Sequence, residues 1–108
     1  MKQRRRYIAF ELIGSEAGKG DIMRAISHSL FTHNPAFDRR MLKLVFHDVD
    51  SRRGLLRCGH RQVGELKAAM ANIKKIGGKK ASFVIFGVSG TIRAAKRKFL
   101  GARLTKVL

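Results

Sequence analysis

The chain has 108 residues, room for one compact domain with one real core and not for two. Apolar residues make up 44% of it, with a single proline and no low-complexity tract, which excludes a wholly disordered or fibrous chain. Lys and Arg number 24 against 7 Asp and Glu, a formal charge of +17; folding does not require this, because like charges repel in the compact state, so the excess points to a polyanionic partner.

In chain order, residues 5–13 (RRYIAFELI) read as a strand. Ile8, Phe10 and Leu12 alternate with Tyr7, Ala9, Glu11 and Ile13, and the purely apolar set is expected to face the core. Residues 14–20 (GSEAGKG) form a loop by their three glycines. Asp21 then caps a helix running to about Thr32, with Ile22, Ile26 and Leu30 on one stripe, ended by Asn34 and Pro35. Residues 41–49 are a second strand, in which Leu42, Leu44 and Phe46 alternate with Lys43, Val45 and His47. The turn DSRRG returns the chain as a short third strand, residues 55–58, making a hairpin. A second helix over 60–76 buries Val63, Leu66, Met70 and Ile73 and stops at Gly77 and Gly78. Residues 81–88 are the fourth strand. Residues 91–100 are the third helix, with Ile92, Ala95 and Phe99 inward, Arg93 and Arg97 on the opposite side, and Gly101 at its end. The order predicts an α+β fold: a ferredoxin-like split βαβ sandwich with a four-stranded antiparallel sheet, two helices on one face, and an added C-terminal helix over the other. The whole chain, 1–108, reads as a single domain, with residues 1–6 a candidate basic arm.

Several motifs suggest chemistry and carry a plainer reading. GSEAGKG sits between a strand and a helix like a phosphate loop. Only three residues separate Gly14 from Gly18, and Gly20 stands where a metal-ligating hydroxyl belongs, so the loop reading wins. Cys58 and His60 in RCGH make half a zinc site at most, and no second pair completes it. The seven acids form no pair for acid/base work; Asp48 and Asp50 flank a turn, where acids are common. No serine stands in a nucleophile elbow. The stretch GVSGT places Gly87, Ser89, Gly90 and Thr91 between a strand and a helix. There a phosphate can approach backbone N–H groups, or Ser89 or Thr91 can simply cap the helix. Tyr7 could stack a base, but the third strand has no aromatic and the RNA-recognition signature is absent, so stacking across the sheet is not expected.

The charge fits RNA, DNA or an anionic membrane. No apolar run nears the ~20 residues of a spanning helix, so no membrane partner is expected. The apolar stretch after the initial basic residues is short and broken by Glu11, unlike a signal peptide. A single cysteine gives no disulfide framework. Together these predict a cytoplasmic nucleic-acid-binding protein. After Glu65 there is no acid, while eleven Lys and Arg follow.

RRYIAFEL, LLRCGHRQV and FGVSGTIRAAKRK, in that order and spacing, resemble the ribonuclease P protein component 2 family, the Pop-type subunit of archaea and eukaryotes. The resemblance spans about residues 4–98 and looks archaeal. It implies a noncatalytic subunit that binds the ribonuclease P RNA, while the RNA, with magnesium ions, removes the 5′ leader from precursor tRNA. It implies no cofactor bound by the protein itself. It also implies a barrel-shaped partner subunit of the thirty-kilodalton class, two such pairs joining into a heterotetramer. Matching the blocks singles out Arg57, His60, Ser89, Gly90, Thr91 and Arg93. The expected RNA-binding residues are Arg93, Lys96 and Arg97, with Ser89 and Thr91 shaping the turn. Arg57 and Arg61 come second, and Arg4, Arg5 and Arg6 serve as an arm. Three other readings share the composition: a ribosomal or other structural RNA-binding protein, an enzyme of acylphosphatase type, and a DNA-compacting protein.

Overall fold

The central strand of the sheet is β1 (Arg5–Gly14), hydrogen-bonded to neighbours on both sides. A computed structural model of the chain describes residues 4–101. After β1 come α1 (Lys19–His33), β2 (Lys43–Asp48) and β3 (Arg53–Gly59). A 3-10 turn (His60–Gln62) leads into α2 (Val63–Ala71), followed by β4 (Lys75–Ile76) and β5 (Lys79–Ser89). The last helix, α3 (Ile92–Ala95), runs on as a π-helical segment, Lys96–Gly101. The strands are antiparallel, in the order β2-β3-β1-β5-β4.

The expected four-stranded sheet is therefore one strand short. The second helix ends at Ala71 and not at Ile76. Lys75 and Ile76 instead pair with Lys80 and Lys79 across Gly77–Gly78, whose φ angles are 59° and 80°. Two consecutive left-handed residues are what a tight two-residue hairpin demands, so the double glycine is a turn and not a helix stop. Helix α1 also begins earlier than expected: Gly18 occupies the cap, and Asp21 lies in the first turn, paired with Arg24. A carboxylate there still complements the positive end of the helix.

The sheet is covered on both faces. On one face Ile8, Phe10 and Leu12 meet Ile22, Ile26 and Leu30 of α1 and Leu66 and Met70 of α2, all at most 1% exposed. On the other, Tyr7, Ala9 and Leu55 are buried under Ala95 and Leu100, with Val45, Phe46, Phe86 and Phe99 around them. The added helix thus closes the face the sequence left open. Its inward stripe shifts, however. The π segment makes wider i→i+5 turns; Phe99 and Leu100 both pack inward, while Ile92 stays 37% exposed.

Strict alternation in β2 also fails. The pairing of β2 with β3 slips between Leu44 and Phe46, leaving Val45 as the extra residue of a bulge. Leu44 consequently packs with the two-helix face, and Phe46 with the α3 face. A similar slip in β5 leaves Phe86 extra between Ile85 and Gly87.

Cys58 lies fully buried in the two-helix core. Burial pushes its thiol up to about 11, against a smaller opposing pull from Arg6, so at neutral pH it carries no nucleophilic thiolate. Alkylation by iodoacetamide at pH 8 is expected to follow global unfolding across a urea titration. Labelling at zero denaturant at the rate of a free thiol would show that the core opens locally. The linkage sign agrees: a folded value above the unfolded one means stability is whole below the unfolded thiol pKa and falls as pH climbs toward about 11.

Candidate nucleic-acid interface

Because β1 runs antiparallel to both neighbours, its first residues lie beside the last residues of β3 and β5. One end of the sheet therefore gathers Arg5 and Arg6, Arg57 and Ser89, with His60 and Arg61 just beyond β3 and Gly90–Thr91 just beyond β5. Most of the sequence-predicted RNA-binding residues meet here, although they come from three separate stretches of chain.

The described part of the expected arm is built in. Arg5 and Arg6 belong to β1. The Arg4 amide donates to His60 Nδ1 at 3.0 Å, and the His60 amide donates to the Arg4 carbonyl at 2.7 Å. An imidazole nitrogen that accepts from an amide carries no proton of its own, which fixes the His60 tautomer while the ring is neutral. Residues 1–3 lie outside the described residues. The Arg6 guanidinium lies against the turn: a Cβ placed on Gly90 would come 3.7 Å from its Nη1.

At the turn, Thr91 is the helix cap. Its backbone is extended, and its hydroxyl accepts from the Ala94 amide at 3.1 Å. The Ala95 amide closes on the Thr91 carbonyl at 3.0 Å. Ser89 is 7% exposed, opposite Tyr7 in the ladder, so its side chain is part of the packed sheet end and not of the surface. Gly87 allows the helix to lie down: a Cβ there would fall 2.4 Å from the Phe99 ring. A side chain there would force the Phe99 ring to move.

Packing Ala95 and Leu100 inward turns Arg93, Lys96, Arg97 and Lys98 to solvent. Lys96 Nζ also lies 4.4 Å from the centre of the Phe46 ring, a cation–π contact that ties the helix to β2. Register places Lys43, Arg57, Tyr7 and Ser89 in one row across the sheet, on the face that α3 covers. Arg57 is half-buried and donates from Nε to the Met41 carbonyl at 3.0 Å. Lys43 is exposed, and sequence reading missed it; the pairing of β2 with β3, once the register is known, is the signal that finds it. No ion pair among the described residues neutralises Lys43, Arg93, Lys96 or Arg97. Tyr7, the one candidate for base stacking on the first strand, is 6% exposed beneath α3 and closed to a base.

Arg53 behaves differently. It lies on the same face and reaches Glu11 at 3.1 Å, with its guanidinium 5.6 Å from the centre of the Phe86 ring. That arginine is spent on the fold. Among the described residues no group of three or more His, Cys, Asp and Glu could hold a metal ion, and no helix is long and apolar enough to cross a membrane.

The Rpp14/Pop5 family model matches residues 6–100. The ribonuclease P protein component 2 of Methanosarcina acetivorans is 36% identical over 104 residues, covering 93% of this chain and 76% of that protein. The protein of the same name in Thermococcus gammatolerans is 36% identical over 103 residues, covering 93% and 86%. That of Methanocaldococcus jannaschii is 32% identical over 109 residues, covering 98% and 80%. Among solved structures, a chain in the cryo-EM structure of yeast ribonuclease MRP matches with a TM-score of 0.64 at 10% identity, covering 99% of this chain and 93% of that one; that likeness is one of fold.

Proposed function

The chain belongs to the Rpp14/Pop5 family, and from that premise we propose that it is a noncatalytic protein subunit of ribonuclease P, binding the catalytic RNA and supporting removal of the 5′ leader from precursor tRNA. The observation that carries the binding mode is the closed sheet. With Tyr7 buried under α3, aromatic stacking on the sheet is unavailable, and what the chain offers RNA is exposed cations on a rigid frame. Arg93, Lys96 and Arg97 on the helix contact phosphates, with Lys43, Arg57 and Arg61 alongside and Arg4, Arg5 and Arg6 at the start of the central strand. Ser89 and Thr91 act by shaping the turn that aims the helix. The bond-breaking magnesium ions belong to the RNA, and the protein holds none of its own.

In this reading the four long strands form the ferredoxin-like split βαβ, and β4 extends it at one edge. Residues 1–108 act as one domain. The other proteins of the assembly include a barrel-shaped subunit of the thirty-kilodalton class, two pairs joining as a heterotetramer, and the setting is cytoplasmic.

Reconstitution tests the proposal. Adding the chain to ribonuclease P RNA and the partner subunit is expected to raise precursor-tRNA cleavage at modest magnesium, with the new 5′ end at the mature position. RNA binding without any change in cleavage would favour a structural RNA-binding protein of the same fold. Hydrolysis of a small acyl phosphate by the chain alone would favour an enzyme.

A further inference from the structure

The hairpin that sequence reading missed also concentrates positive charge. Lys74, Lys75, Lys79 and Lys80 fall within seven residues, and all four are exposed. Lys75 and Lys80 stand directly opposite each other in the ladder, an arrangement that like charges destabilise. No described ion pair reaches any of the four. The backbone holds their attachment points close together, since the Ala81 amide donates to the Lys74 carbonyl at 3.0 Å and Ile76 is anchored in the core. The molecule therefore gathers like charges on one short hairpin, and no ion pair among the described residues compensates them.

Beside the hairpin runs a groove of about 310 Å³ between the second half of α1 and the segment leading into β4. His28, Thr32, His33, Asn72, Lys74 and Lys75 line it, and no carboxylate does. Its polar groups are ordered. His33 Nδ1 faces the Ser29 carbonyl at 2.8 Å. A carbonyl only accepts, so Nδ1 carries the proton and Nε2 receives the Asn72 amide, 3.3 Å away. That spends the His33 N–H inside the molecule and leaves a ligand the second Asn72 N–H and the ammonium groups of Lys74 and Lys75, donors that phosphate oxygens take. An acid-poor, donor-lined concavity flanked by lysines suits a ribose–phosphate chain better than an apolar ligand.

We infer that this groove and the lysine hairpin form a second RNA-backbone site, separate from α3. The inference rests on the RNA-binding role proposed above and extends it. The 11-residue β5 carries the hairpin at its start and the α3 turn at its end, which sets the two sites roughly 30 Å apart along the strand. A chain with two such sites binds two backbone segments at once and fixes the distance between them, which organises an RNA fold without reading sequence.

The test uses the full chain, ribonuclease P RNA transcribed in vitro, and anisotropy titrations over a range of KCl. Lys75→Ala with Lys80→Ala removes the opposed pair and is expected to flatten the salt slope by ~1.4 to 1.8 log units per log unit of salt, with no loss of thermal stability. Thr32→Glu, at an exposed helix position, sets a carboxylate on the groove wall and keeps every lysine; about tenfold weaker binding is expected. Combining Lys75→Ala and Lys80→Ala with Arg93→Ala and Arg97→Ala should add the two slope changes. Unchanged slope and affinity in the lysine and Thr32 variants, while the Arg93 and Arg97 variant weakens, would overturn the second site and leave the first standing. Unchanged RNA binding with lost assembly onto the protein partner would also overturn it, assigning the groove to an acidic protein segment. An unmodified chain that fails to bind the RNA would remove both the site and the reading beneath it.

Discussion

Arg93→Ala combined with Arg97→Ala will leave the chain folded and weaken its grip on ribonuclease P RNA by roughly 25- to 60-fold at 0.1 M monovalent salt. That figure follows if each side chain neutralises one phosphate, the counterion term is the only one lost, and affinity at 1 M salt is unchanged. The slope of log affinity against log salt should flatten by ~1.4 to 1.8, the lower value applying to single-stranded contacts. Both residues are exposed and one turn apart, Arg93 on α3 and Arg97 on the π-helical segment that continues it, and the inward packing rests on Ala95, Phe99 and Leu100 instead. Far-UV circular dichroism and the denaturation midpoint should therefore match the parent. Lys96 is left in place deliberately, because its contact with the Phe46 ring would mix a stability term of about 0.5–1 kcal/mol into the result. An unchanged slope would mean that α3 faces away from RNA, and the closed sheet would need another explanation.

Phe10→Ala is expected to cost about 3–5 kcal/mol, a large part of the stability of a domain this size. The ring is fully buried in the two-helix core, edge-on to Phe83 at 5.2 Å with planes at 82°. It lies so close over Gly54 that a Cβ there would sit 2.7 Å from its tip. β1 is the central strand, so the hole opens beside three strands and cannot be closed by shifting one. Urea denaturation measures the loss. The comparison is Val84→Ala on the partly open end of the other face, where the side chain is 46% exposed and the change should stay within about 0.5 kcal/mol. Similar losses for both would mean that the two faces are packed alike, contrary to the burial described.

What could be read from the residues was whatever repeats along one element. Ile8, Phe10 and Leu12 in β1, and Ile22, Ile26 and Leu30 in α1, declare their faces by spacing alone. The third helix and its place over the sheet were legible for the same reason, since an apolar stripe with no partner must bury somewhere. What escaped depends on relations between elements. Val45 and Phe86 are extra residues only by comparison with the strands opposite, and no single-strand pattern reveals a slip in register. The Gly77–Gly78 pair carried two meanings, helix stop and hairpin turn, and the flanking Ile73 and Ile76 fit a helical stripe well enough to favour the wrong one. At the interface, the charge on α3 followed from its sequence, whereas the meeting of Arg6, Arg57, Ser89 and Lys43 required the antiparallel pairing of β1 with both neighbours.

The two bulges set different rules for different parts of the chain. Val45 and Phe86 each place an additional residue on the side that α3 occupies. Shortening either strand by one amino acid would turn every later side chain of that strand inside out, driving Gly87 away from Phe99 or Phe46 away from Lys96. The region joining α1 to β2 has no ladder to keep in register, and it is held instead at single points: Phe37 is buried in the two-helix core, and the Asp38 and Met41 carbonyls accept from Gln62 and Arg57. Substitution and length thus come under separate constraints: at these two strand positions the count of amino acids is held more tightly than their identity, and at the Gly77–Gly78 turn both are held.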